Sequence, residues 1–288
     1  MELVHFSDCG PYRKANQDAY CVRIAGTPAG TVVMAVVCDG MGGLQCGEAA
    51  SAAVIHGFAQ WFDERLPEVA PQGITTDLVN AEWGALIQDC HNAILDFSAS
   101  RQIRTGTTLS AILLTSERYY LMQVGDSRVY LDNGEETRLL TQDQTVAMQE
   151  YLAGRTTLQE FASDSRRNIL LQCVGNRTVA PVFQMGQTPS KGGLVLCSDG
   201  FYHNINKKMI HEALSVPAGR IQLQQSILEL GTHARNQGET DNMTAVSLRW
   251  DPFDDTPEMT VALMPGEPEG FCMDLLAKVT YVNADPMI

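Results

Sequence analysis

The sequence predicts an α+β protein with antiparallel sheets, and two observations support this class. Apolar runs of strand character are spread along the chain, and two pairs of helical segments lie between them. Strands, a helix pair, more strands, a second helix pair and a last strand are typical of layered α+β folds. The 288 residues fit one large domain or two small ones, and the nearly continuous pattern favours one domain with a short addition.

The first half of the chain predicts five strands and two helices. Strands at 19–25 and 31–38 come first, and the second is a continuous apolar run that ends in Asp39-Gly40-Met41-Gly42-Gly43. Apolar residues at helical spacing then predict a helix that starts at Glu48 and a second helix over 75–101. Strands at 107–115, 118–124 and 127–132 follow, bounded by turn residues.

The second half begins with a polar segment, 142–170, which predicts a loop or flap with short helices. Strands at 180–186 and 193–198, helices at 206–214 and 220–236, and a strand at 242–250 follow it. The main domain is therefore predicted to span 1–250. Residues 251–288 form a C-terminal extension, in which 258–264 and 271–282 are predicted to pair as a β-hairpin.

Charge and cysteine content exclude several classes of protein. A formal charge of -14, from 20 basic and 34 acidic residues, argues against a nucleic-acid or anionic-membrane partner. The eight cysteines have no C-x-x-C spacing, which indicates reduced thiols rather than a zinc site. No signal-peptide pattern is present, and no apolar run approaches the roughly 20 residues of a membrane span. We therefore expect a cytoplasmic protein.

Four aspartates stand at predicted strand ends. Asp39 and Asp199 each follow an apolar strand and precede a glycine, Asp241 lies just before the last strand, and Asp18 precedes a strand that begins at Ala19. Carboxylates at strand ends can converge above a sheet, and hard divalent cations prefer such oxygen ligands. An Asp-Gly pair is also typical of a simple turn. From the residues alone, a metal site and a set of turns are about equally supported.

Eight short motifs resemble those of the metal-dependent protein phosphatases of type 2C (the PPM family), specifically the bacterial form. They occur in order through about the first 250 residues. The motifs are Ser7-Asp8-x-Gly10, Arg13-x-x-Asn16-Gln17-Asp18, Val37-Cys38-Asp39-Gly40-Met41-Gly42-Gly43, Gly106-Thr107-Thr108, Val124-Gly125-Asp126-Ser127-Arg128, Leu140-Thr141-x-Asp143, Cys197-Ser198-Asp199-Gly200 and Asp241-Asn242-Met243-Thr244.

This resemblance implies a four-layer α-β-β-α sandwich of two antiparallel sheets flanked by helix pairs, with a flap at about 142–170. It also implies hydrolysis of phosphoserine and phosphothreonine in proteins by a metal-bridging water or hydroxide, without a phosphoenzyme. The implied cofactors are two Mn²⁺ or Mg²⁺ ions per chain. The expected partners are phosphorylated substrates of a Ser/Thr kinase, and the expected state is a monomer.

The resemblance also assigns roles to individual residues. Asp39 would bridge the two ions, and the Gly40 carbonyl would bind one of them. Asp199 and Asp241 would complete the shell of the first ion, while Asp18 would support the second ion directly or through water.

The resemblance also assigns roles to three further residues, each of which has a second interpretation. Arg13 matches the family's phosphate-holding arginine, although by itself it is typical of a surface arginine. Asp126 matches a ligand of a third ion, although Gly-Asp-Ser also suits a hairpin turn. His203 stands where the family usually has a third-ion aspartate. The imidazole could favour Mn²⁺, form only a hydrogen bond, or leave that third site empty.

Other departures concern Gln17, which replaces a common glutamate, and Met41 and Gln144, which replace histidines. The alternative function is therefore a catalytically weak or inactive phosphatase-like domain that binds or regulates a phosphoprotein partner. His203 and Gln144 are the residues that motivate this alternative.

Overall fold

The computed structural model describes residues 1–27, 30–41, 46–253 and 261–263. Two antiparallel sheets pack face to face, and helices cover the outer side of each. This arrangement confirms the predicted α-β-β-α sandwich. None of the helices in the described ranges combines the length and apolar character needed to span a bilayer.

Sheet A has five strands in the order β1-β10-β9-β6-β7, and sheet B has six in the order β11-β2-β3-β4-β5-β8. All neighbouring pairs are antiparallel. The strands are β1 (Glu2–Asp8), β2 (Asp18–Thr27), β3 (Gly30–Asp39), β4 (Leu109–Leu114), β5 (Arg118–Val124), β6 (Arg128–Asp132), β7 (Thr137–Leu139), β8 (Val182–Gln187), β9 (Gly192–Cys197), β10 (Met243–Trp250) and β11 (Val261–Leu263).

The helices lie in three groups. The first group covers sheet B and consists of α1 (Gly47–Gln60), α2 (Leu66–Val69) and α3 (Thr76–Arg101), with a π-helical turn, Trp61–Arg65, between the first two. The second group lies within the predicted flap and consists of α4 (Val146–Leu152) and α5 (Leu158–Ser163). The third group consists of α6 (Asp199–Tyr202), α7 (Lys207–Leu214) and α8 (Arg220–Asn236) and covers sheet A.

The apolar core has three layers. Alternate residues of β3 point in opposite directions: Val33, Ala35 and Val37 face sheet A, while Met34 and Val36 face α1 and α3. Both faces of β3 are therefore buried, which explains its continuous apolar run. A third layer lies between sheet A and helices α7 and α8.

Two strands were absent from the sequence prediction. Strand β1 pairs with β10 along all seven of its residues, but only Val4 among them is fully buried. An edge strand with one buried side chain carries almost no apolar pattern, so the sequence gives little sign of it. Strand β7 has three residues, too few for a periodicity to show.

The described part of the C-terminal extension consists of residues 251–253 and strand β11. The residues of β11 pair with Val22, Arg23 and Ile24 of β2, at the edge of sheet B. Residues 271–282, the predicted second half of the hairpin, lie outside the described residues. The hairpin and the domain boundary at 250 stay predictions.

We predict that Trp83→Ala lowers the free energy of unfolding by about 3–5 kcal/mol, because truncating a buried aromatic leaves a cavity. The Trp83 side chain is fully buried on α3, and Phe58 and Trp61 pack edge-on against its ring. Urea denaturation measures the change. Ile221→Ala, at a side chain that is 81% exposed, is the control and should change stability by about 0.5 kcal/mol or less. Similar values for both variants would contradict the packing described for this layer.

Candidate metal centre

The four strand-end aspartates lie where the two sheets meet. Asp18 opens β2 and Asp39 closes β3, and the two residues are directly opposite in the strand register. Asp199 follows β9, and Asp241 precedes the neighbouring strand β10. The hydroxyl of Ser198 donates to Asp18 Oδ2 at 2.7 Å, which joins the end of sheet A to the end of sheet B. The fold thus brings these side chains to one end of the sandwich.

The carboxylates are close enough to alter each other's ionisation. Burial raises the pKa of Asp39 well above its usual value, and repulsion by Asp18, Asp199, Asp126 and Asp241 raises it further. Burial likewise raises the pKa of Asp18 to about 7, although hydrogen bonds at its carboxylate oppose the rise. All of these carboxyl groups can therefore be ionised at the same time only if positive charge lies nearby.

Asp126 belongs to the same group. Its side chain is buried, and its pKa is raised well above the usual value by burial and then by Asp199 and Asp143, while Arg128 acts in the opposite direction. The Gly-Asp-Ser motif joins β5 of sheet B to β6 of sheet A, so it is not a hairpin turn.

The donor set fits Mn²⁺ or Mg²⁺. Asp18 Oδ1 is buried and has no hydrogen-bond partner among the described residues, and a bound cation would satisfy such an oxygen. No three His, Cys, Asp or Glu side chains of the described ranges already form a cation cage. One oxygen of Asp241 faces Arg13 and one of Asp18 faces Ser198. Some carboxylates must therefore turn towards an incoming ion.

The turn after Asp39 requires glycine at position 40. A Cβ atom there would lie 2.4 Å from the Gly47 carbonyl oxygen and 2.5 Å from that of Gln17. The Gly40 N–H donates to the Gln17 carbonyl at 3.0 Å. The absence of a side chain lets three backbone segments approach closely beside Asp39.

Arg13 lies at the mouth of this site. Its Nη2 donates to Asp241 Oδ2 at 2.6 Å, and both side chains are more than one-third exposed. Asn242 fixes the loop that carries Arg13, because its side chain accepts from the Gln17 N–H and donates to the Cys9 carbonyl. A guanidinium is thus placed at the exposed side of the carboxylate group.

Two residues of the Gly-Asp-Ser-Arg and Leu-Thr-x-Asp motifs form a buried ion pair. Arg128 donates through Nε and Nη2 to both oxygens of Asp143, at 2.9 and 2.7 Å. The adjacent Gln144, which replaces a histidine of the family, accepts the Gly125 N–H at 2.8 Å. These contacts fix the loop on either side of Asp126.

The structure adds Glu239 to the residues around the site. Its Oε2 lies 3.1 Å from His203 Nδ1, and the other imidazole nitrogen, Nε2, lies 3.7 Å from Asp199 Oδ2. Burial would raise the pKa of Glu239, but hydrogen bonds from His203 and from the Thr240 and Asp241 N–H groups lower it to about 2. Sequence analysis missed Glu239, whose only signal is its place two residues before Asp241.

Comparison with known proteins identifies the class. The family model for protein phosphatase 2C matches residues 13–230. The chain therefore belongs to the protein phosphatase 2C family, as its motifs predicted. The predicted enzyme class, a metal-dependent phosphoric monoester hydrolase, and the predicted use of Mn²⁺ or Mg²⁺ agree with this family.

Two bacterial relatives are similar over most of the chain. The serine/threonine protein phosphatase PstP of Mycobacterium tuberculosis is 31% identical over 83% of this chain, and the chain spans 43% of the length of PstP. The protein phosphatase PhpP of Streptococcus pneumoniae is 29% identical over 85% of this chain and 95% of PhpP.

Solved structures agree with these relatives. A crystal structure of PstP has a TM-score of 0.71 at 29% identity and covers 85% of this chain and 97% of that one. Another, of the PstP catalytic domain in complex with two manganese ions, has a TM-score of 0.68 at 29% identity, with coverages of 85% and 96%.

We predict that Asp39→Asn stabilises the metal-free protein at pH 7.5 and abolishes stabilisation by Mn²⁺. A carboxyl group whose pKa is raised on folding destabilises the native state increasingly as pH rises from its unfolded pKa to its folded pKa. The amide removes that cost, so the melting temperature without metal should rise. Mn²⁺ at about 100 times its Kd should add about 2.7 kcal/mol to the wild type only. Calorimetry with and without Mn²⁺ measures both effects, and equal stabilisation of both proteins by Mn²⁺ would place the metal elsewhere.

Proposed function

We propose that this chain is a Mn²⁺- or Mg²⁺-dependent phosphatase for phosphoserine and phosphothreonine in proteins. The ligands of two ions would be the carboxylates of Asp18, Asp39, Asp199 and Asp241 together with the carbonyl of Gly40. The observation that carries this proposal is the convergence of these carboxylates at the ends of both sheets. The family to which the chain belongs supports it.

Cations at this centre would supply a water activated for attack on phosphorus and offset the charge of the phosphoryl oxygens. Ser198, whose hydroxyl lies beside Asp18, is not free to act as a nucleophile. The hydroxyl of Ser198 donates to Asp18 and accepts the Thr244 N–H at 2.9 Å, so it is held as a bridge between strands. This arrangement supports direct hydrolysis without a phosphoenzyme.

Arg13 is proposed to bind the phosphoryl group. Its guanidinium is partly exposed and paired to Asp241, which keeps it next to the ligands of the ions. The planar fork of an arginine suits two parallel hydrogen bonds to phosphate. Arg13 would orient the substrate while Asp39 lies deeper in the site.

A third ion is proposed beside Asp199, with Asp126 and His203 as candidate ligands. Repulsion from Asp199 contributes to the raised pKa of Asp126, so the two carboxylates are electrostatic neighbours. His203 Nε2 lies 3.7 Å from Asp199 Oδ2.

We propose that the substrates are phosphoproteins of a Ser/Thr kinase and that the chain acts as a cytoplasmic monomer. All proposed ligands belong to one chain, which supports activity without a second copy. The seven cysteines in the described part of the chain are free thiols, as expected in a reducing compartment. The alternative, an inactive binding domain, is not favoured, because the chain keeps every proposed carboxylate ligand.

The central test is hydrolysis of p-nitrophenyl phosphate and of a phosphothreonine peptide with Mn²⁺ or Mg²⁺. We expect metal-stimulated turnover, and a loss of at least about 100-fold in kcat for Asp39→Asn, because stabilisation of the transition-state charge by an ion at this residue is lost. Asp89→Asn, at an exposed position on α3, is the control and should keep full activity. Metal-independent turnover, or an unchanged Asp39→Asn enzyme, would exclude this function.

Arg13→Ala should lower kcat/KM by about tenfold to a hundredfold, since a hydrogen bond to a charged group contributes about 1.5–3 kcal/mol. Arg13→Lys should recover part of the loss, because it keeps the charge but not the planar fork. Both are assayed at saturating Mn²⁺, so that any weakening of Asp241 as a ligand does not limit the rate. The exposed Arg104→Ala variant controls for the loss of a positive charge. Equal rates for the Arg13 and Arg104 variants would remove Arg13 from the site.

A further inference from the structure

His203 and Asp199 share one face of the first turn after β9. The two residues are four apart, and the His203 N–H donates to the Asp199 carbonyl at 3.0 Å. Residues at this spacing lie one above the other on a helix. Both side chains are mostly buried, with exposed fractions of 16% and 19%. The imidazole is therefore fixed beside a proposed metal ligand.

Glu239 determines how the imidazole is presented. Its Oε1 accepts the Thr240 N–H at 2.7 Å and the Asp241 N–H at 2.9 Å, and its Oε2 accepts from His203 Nδ1 at 3.1 Å. A carboxylate held by two backbone donors cannot itself donate to the ring when ionised, so the ring proton lies on Nδ1. The other ring nitrogen, Nε2, faces Asp199 and is the atom that remains to bind an ion. Metal-binding histidines commonly have such a carboxylate partner on the second nitrogen.

The separation of the two candidate donor atoms suits a shared ion. His203 Nε2 lies 3.7 Å from Asp199 Oδ2, which is too long for a strong hydrogen bond. Two ligands at about 2.1 Å from one ion are roughly 3.0 Å apart in an octahedral shell and roughly 3.4 Å apart in a tetrahedral one. The two donor atoms would need to approach each other by about 0.7 Å for an octahedral ion and by about 0.3 Å for a tetrahedral one.

The imidazole is also accessible from the flap side. A cavity of about 150 Å³ lies between α6 and the flap, and His203, Phe161 and Tyr202 are among the residues that line it. This volume holds several waters at about 30 Å³ each. An ion at His203 could therefore keep water ligands and exchange with solvent. Arg128 and Arg167 also line this cavity, and the Arg128 charge is offset by an ion pair.

We propose that Glu239 and His203 form an oriented nitrogen donor that joins Asp199 in holding a divalent cation and makes this edge of the centre prefer Mn²⁺ to Mg²⁺. The reason for the preference is that Mg²⁺ favours oxygen ligands, whereas imidazole binds first-row transition metals well. The inference deepens the proposed function and rests on the metal centre proposed there. It adds Glu239 as a positioning residue and a metal preference that an all-carboxylate site does not have.

Pulsed electron paramagnetic resonance of the Mn²⁺-loaded full chain tests the proposal directly, because a coordinated imidazole nitrogen modulates the Mn²⁺ echo. The variants are His203→Gln, which removes the donor, and His203→Asp, which restores an oxygen ligand. His211→Gln is a matched control. His211 Nδ1 also pairs with a carboxylate, Asp132 Oδ2 at 2.6 Å, but at the opposite end of β6 from the metal centre.

We expect nitrogen modulation in the wild type and in His211→Gln, and none in either His203 variant at matched amounts of bound Mn²⁺. In His203→Asp, Mg²⁺ should displace the most weakly bound Mn²⁺ at about tenfold lower concentration than in the wild type. Glu239→Gln should keep the modulation but lower the affinity of that ion by about tenfold, as for other partners of metal-binding histidines.

Three results would overturn the proposal. Bound Mn²⁺ without nitrogen modulation in the wild type would mean that His203 forms only hydrogen bonds, and the phosphatase function would still stand. Modulation that persists in both His203 variants would assign the nitrogen to another residue. A wild-type protein that binds no Mn²⁺ would overturn this proposal and the proposed function together. The two His203 variants are independent, so a folding failure in one leaves the other to decide.

Discussion

Repulsion among buried carboxylates at the junction of two sheets is the constraint on which the rest of this structure depends. Asp18 and Asp39 are paired across β2 and β3, so the register of sheet B alone places two acidic groups side by side. Asp199 follows β9 of sheet A, Asp126 lies in the connection between the two sheets, and both repel Asp39. Without counter-charge this group opposes folding, and the three apolar layers must offset its cost. This group of carboxylates is thus a locally unfavourable feature that a well-packed sandwich can tolerate.

The loop that carries Asp241 shows how the surroundings respond to this constraint. Arg235, on α8, donates through Nη1 to the carbonyls of Glu239 at 2.8 Å and Asp241 at 3.2 Å, and it also pairs with Asp8. Glu239 Oε1 accepts hydrogen bonds from two backbone N–H groups of the same loop. The carbonyls and the amides of this loop therefore both have side-chain partners, which hold its backbone in place. Such preorganisation lowers the reorganisation needed when ligands bind.

The parts of this site that could be predicted from sequence are those with a local signal. An apolar run followed by Asp-Gly identified Asp39 and Asp199, because a doubly buried strand must consist of apolar residues up to its end. Strand β1 gave no comparable signal, since it lies at a sheet edge and buries little. The contact between His203 and Glu239 joins residues 36 apart in sequence through the turn after α8. No periodicity reports a contact of that kind, and only the folded chain reveals it.

The departures from the family motifs keep the geometry of the site while changing its charge. Gln17 donates to Glu48 Oε2 at 2.8 Å, so the neutral amide is anchored beside another carboxylate. Gln144 holds the residue before Asp126 through a backbone hydrogen bond. His203 is the departure that lies beside the aspartates themselves, and Glu239 is its hydrogen-bond partner. A histidine whose second nitrogen has a carboxylate partner is typical of a metal ligand, so this departure is compatible with the proposed centre.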